Sequence, residues 1–348
     1  MKSLLKITVL LSLTLSGASA ASSSPASSLP TVKQQTVGSS PTSAGVSVLT
    51  MTPGGAQGLP VLMLPGLGLS GAVFLGLDGT GWAQQFVAAG HAVHVTDGPG
   101  SVRGVAPGSV PGLFTWNADQ VWSRWGIGPE TSVPYENSRF PTERFSEFLT
   151  TLTPVLRGAS ATEQTAQEGT AARRSRAGNA AGSADRAAPP AASARNAGST
   201  KIAGSAATEA TETPSAPASA LITLLERTGP TVVMAHSASG ETAFELARLR
   251  PDLVSALIVV EPVGCPGNAD YLNVPLLTLF GDHLESRNMT GRMEACHATS
   301  AALQASGIPA RDIQVDGFSH LMMLERGSEE LAREILAWIE ALPTPPQP

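Results

Sequence analysis

Thr231-Val232-Val233-Met234-Ala235 reads as a buried strand that delivers His236-Ser237-Ala238-Ser239-Gly240 into a helical pattern. A strand turning tightly into a helix lifts the residue at the bend above the strand ends, where a hydroxyl can attack a bound carbonyl. The helix N-terminus beneath favours the negative charge that develops there. Small residues at Ala235, Ser239 and Gly240 let such a turn close. Glycine is usual at both flanks, and Ala235 and Ser239 depart from that pattern. The plainer reading is that Ser237 only caps the following helix, so the other polar residues must decide.

A serine hydroxyl is a poor nucleophile until a nearby base takes its proton. In the chain order serine, acid, histidine, the base follows the last strand. Asp316-Gly317-Phe318-Ser319-His320-Leu321-Met322-Met323 stands there, before the final helical run, and makes His320 the expected base. His91 and His94 flank an early strand and read as structural. His236 belongs to the bend itself, and His297 reads as a surface residue. The acid has two candidates. Glu261 directly follows Val254–Val260, whereas Asp282 follows the next strand in Phe280-Gly281-Asp282-His283. The more widespread arrangement uses the later strand, with the acid a few residues past its glycine, but Asp282 follows Gly281 immediately. A carboxylate at a buried strand end beside Pro262 needs a partner, and a histidine at the same edge supplies one. Glu261 is therefore preferred, with Asp282 as the alternative acid.

Acyl chemistry also needs two fixed N–H donors for the oxyanion. One is expected from Ala238, just after the nucleophile. The other is expected from Leu67 or Gly68 in Pro65-Gly66-Leu67-Gly68-Leu69-Ser70-Gly71, which leaves an early strand. Glycine there lets a substrate approach the backbone closely. An ordinary strand-to-helix loop is the alternative.

The elements that must hold these residues alternate. Strands are expected at Val46–Thr52, Pro60–Leu64, His91–Thr96, Thr231–Ala235, Val254–Val260, Val274–Phe280 and Ile313–Val315. Helices are expected at Trp82–Ala89, Phe145–Leu156, Ala220–Arg227, Glu241–Leu249, Met293–Ala305 and Glu329–Leu342. Apolar runs such as Leu257-Ile258-Val259-Val260 suit strands buried on both faces. The pattern predicts a mostly parallel central sheet with helices on both faces, binding ligands beyond the carboxyl ends of its strands.

Two segments fall outside that pattern. Residues 21–44 are rich in Ser, Thr, Pro and Ala and read as a flexible tether. Residues 158–219 are dominated by Ala, Gly, Ser and Thr, with Ile202 the only sizeable aliphatic residue. Such a stretch buries too little to offset its ordering entropy, and it reads as an insertion splitting one domain into 45–157 and 220–343. Residues 1–20 read as a secretory signal. Lys2 and Lys6 precede a short apolar run, and Ala18-Ser19-Ala20 offers a cleavage pattern. The run is too short for a membrane span of about 20 residues, and no Cys stands directly after the cleavage pattern to carry a lipid, so no stable membrane anchor is expected. An exported chain, secreted or periplasmic, can pair its two cysteines, Cys265 and Cys296, in one disulfide.

Among 348 residues, 42% are hydrophobic, ample for one large core. The net charge of −6 gives no reason to expect a nucleic-acid partner. No cofactor is implied: phosphate-loop glycines and Cys/His metal spacings are missing from the sequence, and the six histidines show no ligand pattern.

The chain resembles a subfamily of bacterial α/β-hydrolase carboxylesterases that carry a triad glutamate after the sixth strand. Matching pieces are Leu77-Asp78-Gly79-Thr80-Gly81-Trp82, His94-Val95-Thr96-Asp97-Gly98-Pro99-Gly100 and Trp125-Gly126-Ile127-Gly128-Pro129. Further matches are Arg139-Phe140-Pro141, Ala235-His236-Ser237, Val260-Glu261-Pro262, Phe280-Gly281-Asp282 and Gly317–Met323. The likeness spans roughly Val46 to Leu342 apart from the insertion. Departures are Pro65, where such loops often begin with His, Ser101-Val102-Arg103 in place of a richer glycine/arginine turn, and the insertion itself, which falls where these enzymes carry cap elements. The resemblance implies an α/β-hydrolase fold, hydrolysis of a small-molecule carboxylic ester and Glu261 as the acid. Trp116, Trp122 and Trp125 are expected either to line an apolar pocket or to pack the cap against the core. Rival readings are a related thioesterase, amidase or lipase, or a non-catalytic ligand-binding member of the fold.

Overall fold

The computed structural model describes residues 28–38, 45–98, 101, 112–156, 214–267 and 269–343. The expected signal segment and nearly all of the 158–219 insertion lie outside them. Its strands are β1 (Ser28–Val37), β2 (Val46–Gly54), β3 (Val61–Leu64), β4 (Val93–Thr96), β5 (Leu113–Phe114), β6 (Val155–Leu156), β7 (Thr231–His236), β8 (Val254–Val260), β9 (Leu276–Phe280) and β10 (Ala310–Gln314). Its α-helices are α1 (Ala72–Leu75), α2 (Trp82–Ala88), α3 (Ala118–Arg124), α4 (Phe145–Leu149), α5 (Ala216–Thr228), α6 (Ser239–Leu249), α7 (Thr290–Ala305) and α8 (Ser328–Glu340).

Eight strands form one sheet in the order β1-β2-β4-β3-β7-β8-β9-β10. Pairing is antiparallel from β1 to β4 and parallel from there to β10. Period-two alternation sends Met63, Met234, Ile258 and Leu277 to one face, packed with Phe86, Ile335 and Ile339 of α2 and α8. Leu62, Val233, Leu257 and Leu276 face the other way, against Leu224 of α5 and Phe244 of α6. Both faces are covered, which is why these strands read as unbroken apolar runs. Each fully buried aliphatic side chain contributes about 1.5–3 kcal/mol.

Three expectations need correction. Ser28–Val37, read as tether, pairs antiparallel with β2 along most of its length. An edge strand needs chiefly a backbone partner: Val37 alone is shown buried, while Leu29 is 87% and Val32 61% exposed. The composition rule, which weighs apolar burial, missed it. The helix expected over Phe145–Leu156 stops at Leu149. The Thr150 and Thr151 hydroxyls donate to the carbonyls of Glu147 and Phe148 at 2.7 and 2.8 Å, and Pro154 forbids continuation. The helix expected from Ala220 begins at Ala216, within the segment assigned to the insertion. Ser215 caps it by accepting the Ala218 N–H at 3.3 Å, and Pro217 suits its first turn.

No helix among the described residues is long and apolar enough to cross a membrane. Among those residues no group of three or more His, Cys, Asp or Glu is placed to hold a metal ion.

Candidate active site

The loops after β3, β7, β8, β9 and β10 converge at the carboxyl edge of the sheet. Ser237 follows β7 with φ of 55°, a left-handed conformation that a non-glycine residue adopts only under constraint. The bend is held by the Ser237 N–H donating to Val260 O at 2.9 Å and the Gly240 N–H donating to Ser237 O at 3.0 Å. Ser239, where glycine is usual, donates its hydroxyl to Pro65 O at 2.5 Å. That departure ties the bend to the glycine loop after β3.

The same loop passes hard against the serine. A Cβ added at Gly66 would lie 2.7 Å from Ser237 Cβ and 3.0 Å from His236 Nδ1, so only glycine fits. Trp116 Nε1 donates to Leu67 O at 2.8 Å, and the Thr153 N–H donates to Gly68 O at 3.0 Å. The loop's carbonyls are thereby pinned from outside. Among the described residues, no protein acceptor takes the N–H of Leu67, Gly68 or Ala238.

His320 is 2% exposed, and its ring nitrogen Nδ1 donates to Glu261 Oε2 at 2.6 Å. Its backbone is gripped on both sides. The His320 N–H donates to Trp125 O at 2.8 Å, and its carbonyl accepts from His236 Nε2 at 2.8 Å. His236 in turn accepts the Gly66 N–H on Nδ1 at 3.3 Å. Gly66 N–H can only donate and His320 C=O can only accept, so His236 is the neutral Nε2–H tautomer. Burial, with the neighbouring His320 ring as a lesser cause, pushes it well below the usual histidine range. The two rings lie 4.4 Å apart, centroid to centroid. This histidine links the glycine loop to His320 across the bend.

Glu261 also sits in a left-handed bend, with φ of 42°. Its Oε1 accepts the Gly281 N–H at 2.9 Å and Arg287 Nη2 at 2.7 Å, while Oε2 accepts Arg287 Nη1 at 2.8 Å as well as the His320 ring. Burial opposes its charge, yet the Arg287 guanidinium, aided by the His320 bond, holds this carboxyl well below the usual range. His320 is itself lowered, by burial first, against the pull of Glu261. Asp282 does something else. Its carboxylate accepts Asn137 Nδ2 at 2.8 Å, the Gly317 N–H at 3.1 Å and the His283 N–H at 2.6 Å. It braces the turn that leads to His320 instead of touching the ring.

Two partners escaped the sequence reading. Arg287 lies in a loop with no motif of its own; the one retrospective signal is Gly126, with φ of 81°, where a Cβ would fall 2.8 Å from Arg287 Cδ. Glu325, buried and raised by that burial to about 7, accepts the Ser319 N–H at 2.9 Å and its hydroxyl, closing the loop around His320. Trp125 stands 5.9 Å from the His320 ring and 5.7 Å from Trp116, so both indoles belong to this edge. Trp122 instead packs on Phe145 at 4.8 Å and donates to Val133 O. Its helix, α3, went unanticipated although Asn117 and Gln120 form a capping box. His91 and His94 bond Leu59 O and Thr50 Oγ1 inside the fold, and His297 is exposed. Cys265, four residues after Glu261 in the same loop, is joined to Cys296 of α7.

No protein-family model matches the sequence, and no curated protein does. Solved structures do. The chain is similar to a bacterial esterase solved at atomic resolution, at a TM-score of 0.65 and 24% identity, covering 97% of this chain and 99% of that one. It is also similar to a dienelactone hydrolase from Anabaena variabilis, at a TM-score of 0.44 and 14% identity, covering 90% of this chain and 98% of that one. With its mostly parallel eight-stranded sheet between helical layers, the chain has the α/β-hydrolase fold.

Proposed function

We propose that this chain is an exported serine hydrolase that cleaves small carboxylic esters through Ser237, His320 and Glu261. The observation that carries the reading is the buried Glu261–His320 bond of 2.6 Å, made on Nδ1 at the edge where Ser237 stands in its strained bend. With Nδ1–H committed to the carboxylate, Nε2 is the nitrogen left to accept a proton. In the mechanism, His320 takes the Ser237 proton as the hydroxyl oxygen attacks the ester carbonyl. The tetrahedral oxyanion is held by the N–H groups of Ala238 and of Leu67 or Gly68. Collapse expels the alcohol, which receives the proton from His320. Water then adds to the acyl-enzyme by the same route and releases the acid. The similar bacterial esterase supports the ester class, and the Cys265–Cys296 pair supports an oxidising compartment, secreted or periplasmic.

Labelling with a fluorophosphonate tests the assignment directly. The parent protein is expected to be labelled once, at Ser237, and Ser237→Ala not at all. Labelling that persists in the variant would refute the serine. An unlabelled parent protein would point to a ligand-binding member of the fold.

Gly66 provides a second test. Gly66→Ala forces a methyl against Ser237 Cβ, so the loop must retreat by a few tenths of an ångström or more. Misplacing an oxyanion donor on that scale is expected to lower kcat/KM about 100-fold. The check is steady-state hydrolysis of a p-nitrophenyl ester, with circular dichroism to show that the fold persists. A variant within about threefold of the parent would remove this loop from the oxyanion site.

A further inference from the structure

The Arg287 side chain is 0% exposed and the Glu261 side chain it meets is 1% exposed. The guanidinium grips both carboxylate oxygens, at 2.7 and 2.8 Å, and its Nη2 also donates to Asp282 O at 2.9 Å. The loop after β9, where the acid more usually stands, thus supplies a buried cation to an acid on the neighbouring strand. Resting on the triad reading above, we propose that Arg287 is a positioning residue that neutralises Glu261, so that His320 remains an unprotonated base in more acidic solution than a bare histidine–carboxylate pair would.

A planar, bidentate fork freezes the rotamer of Glu261 and so fixes where Oε2 meets the His320 ring. Its charge acts separately. A lone buried carboxylate on Nδ1 stabilises imidazolium and fills the base with a solvent proton before substrate arrives. The guanidinium on the same carboxylate opposes that field at the ring. Other charged and titratable groups face this pair. Arg292 of α7 also disfavours imidazolium. Glu325 and Tyr135 act on Arg287 and favour its charge. His236, packed against the His320 ring, is neutral. His320 lies below its ordinary value, with burial the first cause and Arg287 among the others.

The sign follows. Removing the cation raises the His320 pKa, so the acid limb of the kcat/KM profile moves to higher pH. In Arg287→Met the ratio of kcat/KM at about pH 5.5 to that at about pH 8 is expected to fall about tenfold relative to the parent. Arg287→Lys keeps a cation without the fork, so its rate falls while that ratio stays within about twofold of the parent. If both variants lose the same factor at every pH, Arg287 is structural only and the proposal fails. Should Arg287→Met not fold, Arg287→Gln makes the same test: a pH 5.5 to pH 8 ratio about tenfold below the parent supports the proposal, and a ratio within about twofold of the parent overturns it. Fluorophosphonate labelling of the parent separates the two levels. No label sinks the triad reading and this inference together, whereas a labelled parent with unmoved ratios sinks this inference alone.

Discussion

Ser237→Ala is expected to lower kcat for ester hydrolysis by about 10⁴- to 10⁶-fold, leaving a residue of catalysis from the oxyanion donors and binding. The effect is that large because alanine leaves no hydroxyl at this point of the bend. The bend holds Ser237 at φ of 55° beside the glycine loop, and water entering the vacated space lacks that orientation. Alanine adopts the left-handed bend no worse than serine, so thermal unfolding should be nearly unchanged. Ser237→Gly sharpens the point. It relieves the backbone strain and is expected to gain about 1 kcal/mol in stability while remaining inactive. Stopped assays on p-nitrophenyl esters and a denaturation curve measure both quantities. An alanine variant that keeps even a tenth of the parent kcat would remove Ser237 from the chemistry.

The second large effect separates the two carboxylates. Glu261→Gln is expected to cost about 10³- to 10⁴-fold in kcat. The amide can offer an N–H to Nδ1, which drives the neutral ring to carry its proton on Nε2, the nitrogen that accepts from Ser237 in the proposed mechanism. It also strands the Arg287 guanidinium in a buried site, so about 3–5 kcal/mol of stability should go with it. Kinetics are therefore best read at low temperature, on protein shown to be folded. Asp282→Asn is expected to cost about tenfold or less. Its oxygens serve Asn137, Gly317 and the His283 N–H, and its side chain is 28% exposed, so the loss is only a looser turn ahead of His320. If Asp282→Asn is the more damaging variant, the acid has been misassigned.

How legible all this was depends on the range of the forces involved. Strand and helix periods are local, so β7, β8 and α6 could be read to within a residue or two, and with them the bend at Ser237. Chain order put His320 after the last strand, and a carboxylate at a buried strand end announced Glu261 as a residue in need of a partner. Where local chemistry was weak, the reading slipped. β1 rests on backbone pairing to an exposed edge, and α4 is cut short by threonine hydroxyls and a proline.

Other features were legible in no local pattern. Which carboxylate meets the imidazole, and which braces the turn, follows from the order β7-β8-β9-β10. That order stacks loops from distant parts of the chain over one another. Arg287 reaches Glu261 across 26 residues, and His236 reaches from Gly66, 170 residues away, to His320, 84 residues on. By itself the sequence determined the strand-and-helix rhythm and the residue types poised at strand ends. Only the tertiary structure decided their pairing. Charge neutralisation and close backbone approach act over a few ångströms of space, and separation along the chain carries no record of them.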